Sequence, residues 1–199
     1  MEFIPASVTV PSGWKVPKHY LKFDGSEKAY DFDLAPWAAS KPGPFTIMHI
    51  GDSEIANTSQ KEREWIARAK KFADERKCAF FVHTGDICGR DGLIAHQKVM
   101  DDLTMGRKVV YAIGNHDCVS SFPWGEAEFE ALYGPCWHSF DACGVHFLVT
   151  PILGGTDRPY GYTPAEVADW IRADLALVDP KTPVVVFNHY RCFFFNPAK

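Results

Sequence analysis

The chain has 199 residues, of which 46% are hydrophobic and 14% aromatic, and its formal net charge at pH 7 is -4. A chain of this length and apolar content can bury one sizeable core, so we expect one main domain. The negative charge argues against a main role in binding nucleic acids, because proteins that bind a phosphate backbone carry excess Lys and Arg. No stretch is long enough to span a membrane and residues 1–10 lack a signal-peptide pattern, which predicts a cytoplasmic protein.

The first part of the chain, residues 1–44, is rich in Pro, Gly and aromatic residues and has no sustained helical period. Two stretches, 8–10 and 30–34, have the composition of edge strands, and the prolines around them indicate turns. We interpret residues 1–44 as an arm that packs over the fold or as the end of a preceding domain. The main domain is then predicted over residues 45–199.

Four apolar stretches have the length and composition of buried strands, and each is followed by polar residues. These stretches are 45–50, 79–84, 108–113 and 183–187. The polar residues that follow them are, in chain order, Asp52 with Glu54, Asp86, Asn115 with His116 and Asp117, and His189. Because ligands bind at the carboxyl ends of strands in open α/β sheets, we expect these side chains to meet at one edge of one sheet. Carboxylate, amide and imidazole groups together suit divalent cations such as Mn, Fe, Zn or Mg.

Helices and a hairpin are predicted between the strands. Residues 60–76 and 91–105 have apolar residues at helical spacing, and the first of these helices joins two strands into a parallel βαβ unit. A short helix is predicted over 123–133, and a hairpin over 137–149 with its turn at Ala142-Cys143 or at Cys143-Gly144. Thr163 followed by Pro164 indicates the start of a third amphipathic helix before the last strand.

The strand-end motifs resemble those of a known family. The motifs Asp52-x-Glu54, Gly85-Asp86, Gly114-Asn115-His116-Asp117 and His189 resemble, in order and spacing, those of the calcineurin-like metallophosphoesterases. The resemblance covers about residues 45–195 and implies an α/β (α+β) fold of four layers, with a central β-sandwich flanked by helices. Two features differ from the family pattern. Glu54 stands where the family usually has histidine, and no G-H-x-H motif follows His189, so the chain resembles a family member that is truncated at its C-terminal end.

The resemblance implies a hydrolase of phosphate monoesters or diesters with two divalent cations (Mn, Fe, Zn or Mg) and a hydroxide that bridges them as nucleophile. The implied metal ligands are Asp86 between the two cations, Asp52 and Glu54 on the first, and Asn115 and His189 on the second. His116 would stabilise the phosphoryl oxygens or protonate the leaving oxygen, and Asp117 would orient it. Asn115, His116 and Arg191 are the candidate substrate-binding residues. The expected substrate is a small-molecule or nucleotide phosphoester.

Several alternatives stay open. With an incomplete ligand set the domain would be a catalytically impaired binding or scaffold module, and a nuclease is a third candidate. Glu54 adds negative charge, which predicts a shift in preference from Zn toward Mn, Mg or Fe; if its side chain points away, the first metal site would be weak or empty. His49, His83 and His146 lie in predicted strands, and we interpret them as core or supporting groups rather than ligands.

Overall fold

A computed structural model describes residues 4–7, 14–16, 20–23, 28–37, 41–54, 60–87, 90–118, 126–152 and 161–190. The strands in these residues are β1 (Ile4–Ser7), β2 (Trp14–Lys15), β3 (Tyr20–Phe23), β4 (Ala35–Pro36), β5 (Met48–Ile50), β6 (Phe81–His83), β7 (Val109–Tyr111), β8 (His138–Ala142), β9 (Val145–Val149) and β10 (Val184–Phe187). The helices are α1 (Gln60–Glu75), α2 (Arg90–Val99), α3 (Asp102–Met105), α4 (Ala127–Tyr133) and α5 (Pro164–Leu175), with a 3₁₀ helix at Asn115–Asp117.

Two three-stranded sheets form the centre of the fold. In the first sheet, β5, β6 and β7 are parallel, with Ile50 opposite His83 and His83 opposite Tyr111. In the second sheet the order is β10, β9, β8, and β9 is parallel to β10 and antiparallel to β8. Side chains from both sheets share one apolar cluster, in which the rings of Phe80 and Phe147 meet edge to face at 5.4 Å. The two sheets therefore pack face to face as a β-sandwich.

Helices cover the outer sides of the sandwich. Helix α1 buries Ile66, Ala69 and Ala73, spaced at one helical face, in a cluster with Phe81 and Val109 of the first sheet. On the second sheet, Asp174 of α5 accepts hydrogen bonds from Ser139 of β8 (2.6 Å) and His146 of β9 (2.7 Å). The layers are thus helix, sheet, sheet and helix, which confirms the predicted α/β fold class. None of the helices in the described part of the chain combines the length and apolar composition needed to cross a bilayer.

The prediction that all four motif-bearing strands lie in one sheet is wrong. β10 lies in the second sheet, where Phe187 is opposite Val149 of β9. The apolar composition of residues 183–187 identifies a strand, but it contains nothing that selects the neighbouring strand. Because the sandwich aligns its two sheets, the end of β10 nevertheless reaches the edge at which the first sheet ends.

The helix predicted over residues 91–105 is interrupted. Asp101 caps a new helix, α3: its carboxylate accepts a hydrogen bond from the Thr104 amide at 2.7 Å, and the Thr104 hydroxyl accepts one from the Asp101 amide at 3.1 Å. The Asp101 carboxylate takes the place of the backbone carbonyl that would accept from the Thr104 amide in a continuous helix. Asp at this position therefore favours the start of a helix over its interior. The hairpin turn, left open by the sequence, is Cys143-Gly144, with φ of 56° and 79°.

The first part of the chain also differs from its prediction. Residues 30–34 form no strand; the strand follows at β4, which pairs antiparallel with β2, and residues 8–10 lie outside the described residues. Trp37, only 9% exposed, packs against Phe80 at 5.9 Å between ring centroids and joins the sandwich core. This burial of Trp37 results from a tertiary contact, and the alternation of apolar and polar residues that identifies a strand does not reveal it. The domain boundary between residues 44 and 45 stays a prediction.

Candidate metal centre

Backbone hydrogen bonds hold the strand-end loops together. The amides of Asp52 and Glu54 donate to the carbonyl oxygens of Gly85 and Asp86, each at 3.0 Å. The amide of His116 donates to Oδ1 of Asp86 at 2.9 Å, so the third loop is bonded to the second. These bonds follow from the parallel register of β5, β6 and β7, which brings the three strand ends to one edge.

Glycine is required where the second and third loops touch. A Cβ atom on Gly114 would lie 2.0 Å from the backbone nitrogen of Asp86, and one on Gly85 would lie 2.4 Å from the nitrogen of Gly114. No side chain fits such a gap, so the Gly-Asp and Gly-Asn-His-Asp motifs need their first residues for close approach of two backbones. The motif glycines thereby place Asp86 directly beside Asn115 and His116.

Five predicted site residues form two donor groups, and Asn115 lies beside the first. Donor atoms of Asp52, Asp86 and His189 lie within 4.8 Å of one another, and so do those of Glu54, Asp86 and His116. In the first group, Nε2 of His189 lies 3.0 Å from Oδ1 of Asn115 and 3.4 Å from Oδ1 of Asp86. In the second group, Nδ1 of His116 lies 3.3 Å from Oε1 of Glu54 and 3.7 Å from Oδ2 of Asp86.

The hydrogen bonding of His189 shows that its group suits a cation. Nδ1 lies 2.9 Å from the carbonyl oxygen of Thr84, which can only accept, so the ring donates from Nδ1 and Nε2 is the nitrogen left for a cation. Nε2 faces the oxygens of Asn115 and Asp86, which are also ligands of divalent cations. A ring held by a backbone carbonyl is also the usual arrangement of a metal-binding histidine.

The grouping of the carboxylates differs from the expected one. The motif pattern places Asp52 and Glu54 on the same cation, whereas in the structure they belong to different donor groups that share Asp86. Glu54 points toward His116 and Asp86 rather than away from them, although its side chain is 60% exposed. His116, expected beside the cations, lies within its group as a third donor. The assignment of individual ligands and of His116 as a catalytic group stays a prediction.

Asp117 is buried and bonded to backbone amides. Its Oδ1 accepts from the amide of Ile87 at 2.7 Å, and its Oδ2 accepts from the amide of Gly114 at 2.8 Å. These bonds connect the second and third loops from beneath, while the Nδ1 side of His116 faces Glu54 and Asp86. The predicted role of Asp117 in orienting His116 stays a prediction. Arg191, the remaining candidate, lies outside the described residues.

Three donor residues have unusual backbone conformations. Asp52, Glu54 and Asp86 have φ of 51°, 44° and 51°. Each such conformation costs a non-glycine residue about 1 to 3 kcal/mol, and surrounding contacts must offset that cost. Such strain is concentrated at functional sites, and here it turns three carboxylates toward one point.

The structure adds supporting residues that the motif pattern did not single out. Thr84 binds His189 through its carbonyl oxygen, and its hydroxyl lies 2.9 Å from Nε2 of His49. His83 lies 2.9 Å from the hydroxyl of Ser53 and is fully buried. Burial lowers the pKa of His83 well below its usual 6.5, as do the nearby His96, His49 and His189. These contacts agree with the prediction that His49 and His83 are supporting groups. For Thr84, the only signal in the sequence was its position directly before Gly85-Asp86.

Comparison with known proteins identifies the family. The family model of the calcineurin-like phosphoesterases matches residues 31–195, which is most of the chain. The chain therefore belongs to the calcineurin-like phosphoesterase family, and the resemblance found in the motifs is confirmed. The match begins before residue 45, where the motifs placed the start of the domain.

A search of curated proteins found no match. Among solved structures, the chain is similar to the purple acid phosphatase PPD1 from seeds of yellow lupin (Lupinus luteus), at 15% identity and a TM-score of 0.49. The alignment covers 92% of this chain and 42% of the plant protein, so the chain spans less than half the length of that relative.

Proposed function

We propose that this protein hydrolyses phosphate monoesters or diesters with two divalent cations, one in each donor group. The observation that carries the proposal is the position of Asp86, whose carboxylate belongs to both groups. Its Oδ1 faces His189 and its Oδ2 faces His116, at 3.4 and 3.7 Å. One carboxylate with an oxygen toward each group suits a pair of cations about 3.5 to 4 Å apart, as two-metal hydrolysis requires.

The residues fit divalent cations in charge as well as geometry. Three carboxylates, the amide oxygen of Asn115 and the imidazole of His189 supply the oxygen and nitrogen ligands that Mn, Fe, Zn or Mg accept. Asp86 is 7% exposed on its side chain, and a buried carboxylate is costly unless a cation or hydrogen bonds compensate its charge. When bound, such cations supply positive charge for the phosphoryl oxygens and lower the pKa of a water molecule.

The chain itself supplies orientation and a proton donor. His116 is 55% exposed on its side chain and stands at the open side of the site, where a substrate oxygen can approach. Its Nδ1 faces Glu54 and Asp86, so Nε2 is the nitrogen available to a phosphoryl oxygen or to the leaving oxygen. The bond from its amide to Asp86 holds the ring beside the donor groups. Asn115, which directly precedes His116 in the chain, is the second residue that we propose to contact the substrate.

The proposed substrate is a small-molecule or nucleotide phosphoester. Asp52, Glu54 and His116 are exposed, so the site is open enough for a phosphate group on a small molecule. The negative net charge of -4 gives a long nucleic acid little electrostatic attraction. Hydrolysis of an oligonucleotide with a rate that falls steeply with salt would favour the nuclease alternative.

Metal content and turnover test this proposal together. Purified protein is loaded with Mn²⁺, its metal content is measured by elemental analysis, and hydrolysis of p-nitrophenyl phosphate and of bis(p-nitrophenyl) phosphate is followed. We expect two metals per chain and turnover of at least one ester, with both lost in Asp86→Asn. The control is Asp169→Asn, an exposed carboxylate on α5 with a side chain 77% exposed, which leaves both unchanged. Fewer than one metal per chain and no turnover would favour the scaffold alternative.

A further inference from the structure

We propose that His83 is a positioning residue, whose buried imidazole holds the loop of Asp52 and Glu54 in register with the loop of Asp86. The inference rests on the proposed function, since it concerns the same donor groups. His83 is the last residue of β6, and its side chain is fully buried. It reaches the site through Ser53, which stands between two donor residues, and through Gly85, which precedes a third.

The loops that His83 joins are strained. Asp52, Glu54 and Asp86, which are not glycines, have φ of 51°, 44° and 51°. Left-handed conformations of this kind persist only where the surroundings hold them. The backbone bonds from Asp52 to Gly85 and from Glu54 to Asp86 hold the outer residues of the first loop. Ser53, between them, is held through its hydroxyl, which lies 2.9 Å from Nε2 of His83.

The hydrogen bonds of His83 define one tautomer. The amide of Gly85 can only donate, and it donates to Nδ1 of His83 at 3.3 Å. The neutral ring therefore carries its proton on Nε2, which donates to the hydroxyl oxygen of Ser53 at 2.9 Å. One imidazole thus binds both loops, as an acceptor for one and a donor for the other. Burial lowers the pKa of His83 well below 6.5, which keeps this neutral form.

His83 is comparable to a nearby histidine that lacks these bonds. His96 of α2 is also fully buried, and its ring centroid lies 5.5 Å from that of His83. Nδ1 of His96 lies 3.4 Å from the hydroxyl of Tyr133 in α4, so its hydrogen bond goes to a helix rather than to a motif loop. A substitution at either position perturbs the same part of the core, but only the one at His83 breaks a bond to a motif loop. His96 therefore provides a matched control.

The experiment compares Mn²⁺ affinity and the electron paramagnetic resonance spectrum of bound Mn²⁺ in His83→Phe and His96→Phe. Direct outer contacts of metal ligands contribute about 10- to 100-fold to metal affinity. His83 acts through Ser53 and Gly85, the neighbours of ligands, so we expect a loss at the lower end of that range, about 10-fold, in His83→Phe. The spectrum should also change, because the donor residues shift. His96→Phe should bind Mn²⁺ within about twofold of the wild type, even if both variants lose thermal stability. Equal affinity in the two variants would overturn the proposal.

Two smaller substitutions keep the test decisive if His83→Phe does not fold. Ser53→Ala removes the hydroxyl that His83 binds, and His83→Gln keeps an N–H donor near the position of Nε2. We expect Ser53→Ala to lose Mn²⁺ affinity, and His83→Gln to bind Mn²⁺ more tightly than His83→Phe does. The double variant, His83→Gln with Ser53→Ala, should bind Mn²⁺ no more weakly than Ser53→Ala alone. Unchanged affinity in Ser53→Ala would contradict the inference. If the wild type bound no Mn²⁺, the proposed function itself would fail, which is a different result.

Discussion

Nε2 of His189 lies 3.0 Å from the amide oxygen of Asn115, although the strands that lead to these residues belong to different sheets. Asn115 follows β7 of the first sheet, which ends at Tyr111, and His189 follows β10, an edge strand of the second sheet, which ends at Phe187. The donor group with Asp52 and Asp86 is therefore assembled across the sandwich. Packing between the two sheets determines its geometry.

Removal of His189 should abolish metal binding in the first donor group and leave the second donor group intact. We expect His189→Ala to bind one Mn²⁺ per chain rather than two, and to lose at least about 100-fold in kcat/KM, above the range seen for outer contacts of metals. Elemental analysis and aryl phosphate hydrolysis measure both quantities. His138→Ala, in β8, serves as the control histidine. A full complement of two metals in His189→Ala would contradict the assignment of His189.

Replacement of Glu54 by the residue usual in the family should change metal preference. Glu54→His substitutes a softer nitrogen ligand for a charged oxygen, so we expect binding of Zn²⁺ to strengthen relative to Mn²⁺. Competition between the two ions, followed by elemental analysis, measures the ratio. Glu54→Gln separates charge from geometry, because it keeps the length of the side chain. If the Zn to Mn ratio did not move in Glu54→His, Glu54 would not be a ligand.

Acid should destabilise the protein through His96. Burial lowers the pKa of His96 from 6.5 to about 4, so between these pH values the unfolded chain binds a proton that the folded chain does not. The free energy of unfolding should therefore fall as the pH drops through this window, by about 3 kcal/mol in total from this group. Urea unfolding at several pH values measures the slope. His96→Phe should show a shallower slope, and an identical slope would exclude this contribution.

Two glycines should respond differently to the same substitution. Gly114→Ala places a Cβ 2.0 Å from the nitrogen of Asp86, which forces two loops apart, and we expect it to cost more than about 3 kcal/mol and to abolish metal binding. Gly106→Ala adds a Cβ with nothing within 4 Å, so only its φ of 68° matters, at about 1 kcal/mol. Urea unfolding with and without Mn²⁺ compares them. Similar costs in the two variants would show that the loops do not touch as described.

The link between α5 and the second sheet should depend on Asp174. His146 lies 2.8 Å from Asp141 and 2.7 Å from Asp174, and it is 4% exposed on its side chain. Leaving a buried hydrogen-bond donor without its acceptor costs about 1 to 3 kcal/mol, so we expect Asp174→Asn, which keeps only one of the two accepting oxygens, to be destabilised by about that amount. Asp169 on the same helix has an exposed carboxylate that pairs with Arg172, so Asp169→Asn should cost less than about 1 kcal/mol. Thermal unfolding distinguishes the two.

Much of the site could be predicted because its motifs are local. The apolar stretches before Asp86, Asn115 and His189 identify strands by composition, and the polar residues that follow them are placed at strand ends by chain continuity alone. These properties depend on neighbours along the chain, so they are visible without a fold.

Tertiary structure decided three features of the site. It placed β10 in the second sheet, separated Asp52 and Glu54 into two donor groups, and formed the bond between His83 and Ser53. The order and spacing of residues determined which side chains reach the ends of strands and which chemistry they offer. Which of those side chains face one another depends on sheet packing and on left-handed backbone conformations held by distant contacts. Such contacts join residues 30 to 105 positions apart, beyond any local pattern.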